Sequence, residues 1–134
     1  MAPPTLVSAC LLGAACRYDG QSKAAPLSIA GAIIPVCPEV MAGLGVPRPA
    51  IERGIDGRVR VLATGLDITA ELTTASDRIV AIAKRHGARR AILKERSPSC
   101  GSSQLRRGSD IVAGEGLLTE RLRSSGIIVE SELR

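Results

Sequence analysis

Three of the four cysteines in this 134-residue chain follow apolar runs that read as strands, and that placement is its main statement about chemistry. Cys10 comes after Thr5-Leu6-Val7-Ser8-Ala9, and Cys37 directly follows Ala32-Ile33-Ile34-Pro35-Val36. Cys100 lies a few residues beyond Ala91-Ile92-Leu93, inside Ser97-Pro98-Ser99-Cys100-Gly101. A thiol on a turn of small residues just past a strand is placed to react or to bind. The fourth, Cys16, belongs to the loop after the first strand. No C-x-x-C pair occurs, so the zinc-ribbon and thioredoxin patterns are absent. Thiolates suit zinc, copper(I) and iron-sulfur clusters alike, and residue type alone does not choose among them. Any single cysteine could instead pack as a small buried hydrophobe. Three at one edge of a sheet argue for a shared site.

Polar groups gather on the same segments: Glu39 is two residues from Cys37, Ser97 and Ser99 flank Cys100, and Lys94 precedes them. A purely structural cluster gains little from an acid and a lysine beside it. An active site uses such groups for proton transfer and charge stabilisation.

The elements that position these residues can be read from apolar periodicity. Thr5 to Ala9 reads as a first strand, followed by a long loop through Asp19-Gly20. Ser22 to Gly31 is Ala-rich, with room for a short helix after Pro26, and Ala32 to Val36 reads as a second buried strand. Met41 to Pro49 carries Gly43, Gly45, Pro47 and Pro49 and is loop, while Arg58 to Leu62 alternates like a short edge strand. A helix begins after Asp67, places Ile68, Leu72, Ala75, Ile79 and Ile82 on one face, and is closed by Gly87. Ala91 to Leu93 is the next strand, Glu115 to Ser124 is helical, and Gly126 to Val129 is the last strand. Strands alternating with helices imply an α/β fold: a single domain over 1–134, with a mostly parallel sheet and helices on both faces, Rossmann-like. Ligands of such sheets bind beyond the carboxyl ends of the strands. The segments bearing Cys10, Cys37 and Cys100 all begin at that edge.

Composition narrows the class. Hydrophobic residues make up 45% of the chain, enough for a core built from Ile, Leu, Val and Ala, because Tyr18 is the sole aromatic. There are no aromatic platforms of the kind single-stranded nucleic acid binders use. The net charge of +5 comes from scattered Lys and Arg interrupted by acids, so no stable nucleic-acid partner is expected. Val7-Ser8-Ala9-Cys10 resembles a lipoprotein cleavage site, but Met1-Ala2-Pro3-Pro4 has no cationic side chain and the apolar run is too short. No stretch approaches the ~20 apolar residues of a membrane span. The expected location is the cytoplasm, where thiols stay reduced. His86 at a helix end, Gly114-Glu115-Gly116 without a dinucleotide fingerprint, and the pairs Arg89-Arg90 and Arg106-Arg107 read as ordinary structural or solvated residues.

Several segments closely resemble a small bacterial family long labelled as a domain of unknown function, whose characterised members are thiouracil desulfidases. They are Val7 to Gly13, Cys16-Arg17-Tyr18-Asp19-Gly20, Pro35-Val36-Cys37-Pro38-Glu39-Val40, Pro47-Arg48-Pro49 and Ile92 to Gly101. The resemblance runs from about Leu6 to Glu132 with the motifs in the family's order; Ser102 to Asp110 departs from it, lacking the Tyr-Asp-Gly-like sequence usual there. It implies a [4Fe-4S] cluster held by Cys10, Cys37 and Cys100 with the fourth iron open, and leaves Cys16 as a spare ligand, a gate or simple packing. It also implies non-redox desulfuration of a thiolated pyrimidine base or nucleotide, of the 2-thiouracil or 4-thiouridine monophosphate type, with release of hydrogen sulfide. The cluster would serve as Lewis acid and sulfur carrier. On this basis Glu39 is expected to activate the attacking water or protonate a ring nitrogen, and Ser99 to hydrogen-bond the substrate or a proton-transfer water. Arg48, Lys94 and Ser97 are candidate substrate contacts, either cation meeting a phosphate or carbonyl unless it pairs with an acid such as Glu52 or Glu95. The rival class is a non-catalytic metal-binding or redox-sensing module closed by all four cysteines.

Overall fold

The apolar runs around Leu6, Ile34, Ile92 and Val129 lie side by side in the computed structural model, which describes residues 3–13, 29 and 31–132. In chain order the described elements are β1 (Thr5–Ser8), a 3-10 turn (Ala9–Leu12), β2 (Ile33–Val36), α1 (Pro38–Met41), β3 (Ile51–Arg53) and β4 (Val59–Val61). They continue with α2 (Thr69–His86), β5 (Arg90–Leu93), β6 (Gln104–Arg107), β7 (Asp110–Ala113), α3 (Leu117–Ser124) and β8 (Ile128–Ser131). The main sheet has the order β2-β1-β5-β8, and every pairing in it is parallel. The expected α/β architecture with a parallel sheet and flanking helices is therefore what the chain adopts.

Alternation along the strands divides the core. Leu6, Ala91, Leu93 and Val129 pack against Ile79, Val80 and Ala83 of α2 and Leu118 and Leu122 of α3. Val7 and Ile92 point the other way, onto Cys10, Leu11 and Ile29. Both long helices thus cover one face. The short helix expected after Pro26 falls on residues outside those described.

The α2 helix follows its sequence signals closely. Asp67 Oδ1 accepts the Thr69 N–H at 2.9 Å, one position earlier than an N-cap serine or aspartate would stand. Leu72, Ala75 and Ile79 are buried, Gly87 closes the helix at φ 70°, and Lys84, Arg85 and His86 occupy the last turn, where cations meet the negative end of the helix. His86 is exposed, in keeping with a surface role.

Two antiparallel hairpins add to the main sheet. β4 is the edge strand read from Arg58 to Leu62, but its partner β3 and the whole β6–β7 hairpin are additional. Gly108, at φ 62°, makes the tight turn between β6 and β7. Arg107 corrects the reading of Arg106-Arg107 as two solvated charges, since its Nε and Nη2 donate to the Arg53 carbonyl at 3.2 and 3.0 Å. Arg53 in turn donates to the Glu115 carbonyl at 2.8 Å and to Glu120 at 2.9 Å, tying both hairpins to the start of α3. No helix among the described residues is long and apolar enough to cross a membrane.

Candidate metal centre and its acid

β1, β2 and β5 are neighbours in the sheet, so their carboxyl ends deliver three cysteines to one place. Cys10 sits in the 3-10 turn after β1, Cys37 follows β2 in extended conformation before Pro38 starts α1, and Cys100 rides the loop after β5. All three are thiols, Cys10 and Cys100 buried and Cys37 half-buried. Burial pushes the Cys100 thiol well up; the Ser8 hydroxyl works against that, while the nearby Glu39, Cys37 and Cys10 charges add to it. Among the described residues, no three His, Cys, Asp or Glu are set closely enough for a metal ion. Four thiolates around one zinc at ~2.3 Å would stand only ~4 Å apart. A cubane gives each cysteine its own iron and suits more widely set thiols on separate strand ends. The donor set fits a cluster better than a single ion. Cys16 lies outside the described residues.

The Cys100 loop is held from three sides. Ser97 Oγ accepts the N–H groups of Ser99 and Cys100, both at 3.1 Å, and the Ser97 carbonyl accepts Gly101 N–H at 2.9 Å. The first turn of α3 takes the loop's carbonyls: Leu117 N–H donates to Pro98 at 3.1 Å, Leu118 N–H to Ser99 at 2.8 Å, and the Thr119 hydroxyl to Cys100 at 2.9 Å. Gly116 makes that approach possible, because a Cβ there would stand 2.3 Å from the Ser99 carbonyl carbon and 2.5 Å from the Cys100 nitrogen. In the sequence Gly114-Glu115-Gly116 reads as an ordinary structural stretch. Its spacing fits no motif, and only the packing shows that Gly116 meets a cysteine loop.

Glu95 is the third support. Its Oε1 accepts N–H groups from Ser102, Ser103 and Gln104 at 2.8, 3.1 and 3.0 Å, and its Oε2 accepts the Ser102 hydroxyl. Burial alone would raise this carboxyl, but the converging donors outweigh it and hold the pKa at about 2, below the ordinary 4.5. A depressed carboxyl stabilises the fold above its unfolded pKa and loses that contribution as pH falls toward its folded value. Urea unfolding of wild type and Glu95→Gln should therefore differ by on the order of 3 kcal/mol at pH 7. The gap should close between pH 4.5 and about 2. A constant gap across that window would show that the carboxylate charge is not what holds the loop.

Glu39 joins the cysteine segments to one another. It stands in the first turn of α1, two residues past Cys37. Its Oε2 accepts the Ser99 hydroxyl at 2.9 Å across 60 residues of sequence. Its Oε1 accepts Arg48 Nη2 at 2.8 Å and Nε at 3.1 Å, and Arg48 Nη1 donates to the Gly45 carbonyl at 2.9 Å. The Arg48 and Glu39 side chains are only 3% and 13% exposed.

The structure thus brings Cys10, Cys37, Cys100, Glu39, Ser99 and Arg48 to one edge. Arg48 meets Glu39 rather than Glu52 or Glu95. Ser97 turns its oxygen into the loop that carries Cys100. Lys94 directly follows β5, with its N–H on Ser8 Oγ at 2.9 Å, its Nζ on the Glu95 carbonyl at 2.8 Å and Glu132 at 3.6 Å. Thr119 carries no mark in the sequence, and the sequence assigns Glu95 and Gly116 no role in the cysteine loop, because each acts through backbone contacts that no spacing reveals.

Comparison with known proteins gives this geometry a lineage. The 2-thiouracil desulfurase family matches residues 5–133. The uncharacterised protein YbbK of Bacillus subtilis (strain 168) is 35% identical over 146 residues, covering 96% of both chains. The solved structure of the [4Fe-4S]-dependent thiouracil desulfidase TudS is 42% identical, with a TM-score of 0.89, over 98% of this chain and 91% of that one. On sequence and fold together, the chain belongs to the 2-thiouracil desulfurase family.

Proposed function

We propose that this chain, working as one domain over 1–134, is a [4Fe-4S]-dependent desulfidase that exchanges the sulfur of a thiolated pyrimidine for oxygen, with Cys10, Cys37 and Cys100 as cluster ligands. The observation that carries the reading is the Glu39–Ser99 hydrogen bond, which sets a carboxylate and a hydroxyl between two of the three thiol-bearing segments. A cluster alone needs no such pair. When bound, the cluster supplies a Lewis-acidic iron for the thiocarbonyl sulfur without net redox change.

The chain's own residues manage the protons. In the overall change a water oxygen bonds to the ring carbon, the carbon–sulfur bond breaks, and the two water protons leave with sulfur as hydrogen sulfide. Glu39 Oε2 is the acceptor for the first proton, taken directly or through the Ser99 hydroxyl it already holds. Ser99 donates to Glu39, which leaves its oxygen lone pairs as acceptors for the attacking water. Lys94, just past β5, is the cation we place beside the substrate's carbonyl or phosphate, a role that requires it to exchange its 3.6 Å contact with Glu132 for the substrate. Ser97 serves the site through the loop it holds.

The partner is a small molecule rather than a nucleic acid. Arg53, Arg58, Arg60, Arg90, Arg121 and Arg123 each pair with an acid, which dilutes the basic surface that polyanions require. A cluster of this kind needs reduced thiols, consistent with the cytoplasm. The test is anaerobic purification, reconstitution with iron and sulfide, and incubation with 2-thiouracil and with 4-thiouridine monophosphate. Sulfide and the oxygenated pyrimidine should appear in about equal amounts, as the overall exchange requires. The faster arm names the base or the nucleotide as substrate. No sulfide from either arm would end the proposal.

A further inference from the structure

We infer that Arg48 is a positioning residue: it fixes the rotation of the Glu39 carboxylate so that a single oxygen, Oε2, faces Ser99, and it does not itself bind substrate. The inference rests on the proposed role of Glu39. Two Arg48 donors, Nη2 at 2.8 Å and Nε at 3.1 Å, converge on Oε1. The third, Nη1, is anchored 2.9 Å from the Gly45 carbonyl in Arg48's own loop. The guanidinium is therefore held from behind before it grips the acid. The terminal torsion of a glutamate is broad and about two-fold, so without this grip the two oxygens would exchange and Ser99 would lose a defined acceptor. With its side chain 3% exposed, Arg48 offers little surface to a substrate. A buried ion pair is also a poor way to stabilise a fold, because desolvation cancels much of the attraction. Positioning accounts for the arrangement better than stability does.

Lysine keeps the charge but lacks the planar fork, so Arg48→Lys separates the two properties. In cluster-loaded protein, Arg48→Lys is expected to lower kcat by roughly 10- to 100-fold, the usual effect of a misplaced catalytic group. KM for 2-thiouracil should change less than about threefold, because positioning acts on the transition state. The visible absorbance of the cluster should be unchanged. In a Glu39→Gln background the same substitution should cost nothing further, since Arg48 acts only through Glu39. A KM rise with kcat intact would make Arg48 a substrate contact and overturn the inference. Equal kcat losses in both backgrounds would make its role structural and overturn it as well. If Glu39→Gln is inactive while Arg48→Lys keeps full kcat, the positioning claim falls and the role of Glu39 stands. If Glu39→Gln is itself fully active, both fall together. Arg48→Gln repeats the comparison if the lysine variant fails to fold.

Discussion

Glu39→Gln is expected to lower the rate of sulfide release from 2-thiouracil by roughly 10²- to 10⁴-fold, the usual contribution of a positioned general acid or base. The amide matches the carboxylate in shape, and its oxygen can still accept from Arg48. That choice turns the amide NH₂ toward Ser99, so the hydroxyl can no longer donate there and no basic oxygen remains. Glutamine is the informative replacement. Glu39→Ala would strand the Arg48 charge, a defect that costs roughly 3–5 kcal/mol in buried pairs and would confuse folding with catalysis. Rates should be compared at matched cluster absorbance. Turnover near that of wild type would remove Glu39 from the mechanism.

Cys100→Ala should abolish iron binding while leaving the fold in place. The contacts that build the Cys100 loop come from Ser97, Gly116, Leu118 and Thr119 and engage backbone atoms, which alanine retains. Loss of the buried sulfur from the core formed with Leu93 and Leu118 should cost roughly 1 kcal/mol. Iron should fall to background with an unchanged far-ultraviolet circular dichroism spectrum. Retention of half or more of the iron would show that Cys100 is not a ligand.

The sheet was legible because its strands are short apolar runs and α2 repeats its apolar residues at helical spacing. The three-cysteine edge followed from those strands. The β6–β7 hairpin was hidden because Arg106, Arg107 and Asp110 break the apolar pattern, while its stability comes from pairing and from the Arg107 contact with Arg53. The site's acid was visible as Glu39, but its partners were not. Ser99 is 60 residues away, and Arg48 reaches it only because the loop after α1 folds back. Glu95 reads in the sequence only as an acid that Lys94 or Arg48 could pair with, yet it is 3% exposed and collects three backbone amides. Close approaches such as Gly116 against Ser99 are properties of packing, and a linear pattern carries no trace of them.

The central claim is that three cysteines hold the cluster and leave an iron open. Iron and acid-labile sulfide per chain, measured in anaerobically prepared wild type and Cys16→Ala, test it most directly. The account predicts about four iron and four sulfide in both proteins. Loss of iron from Cys16→Ala, or one zinc per chain in wild type, would contradict it, because either result closes the position at which the substrate's sulfur must arrive.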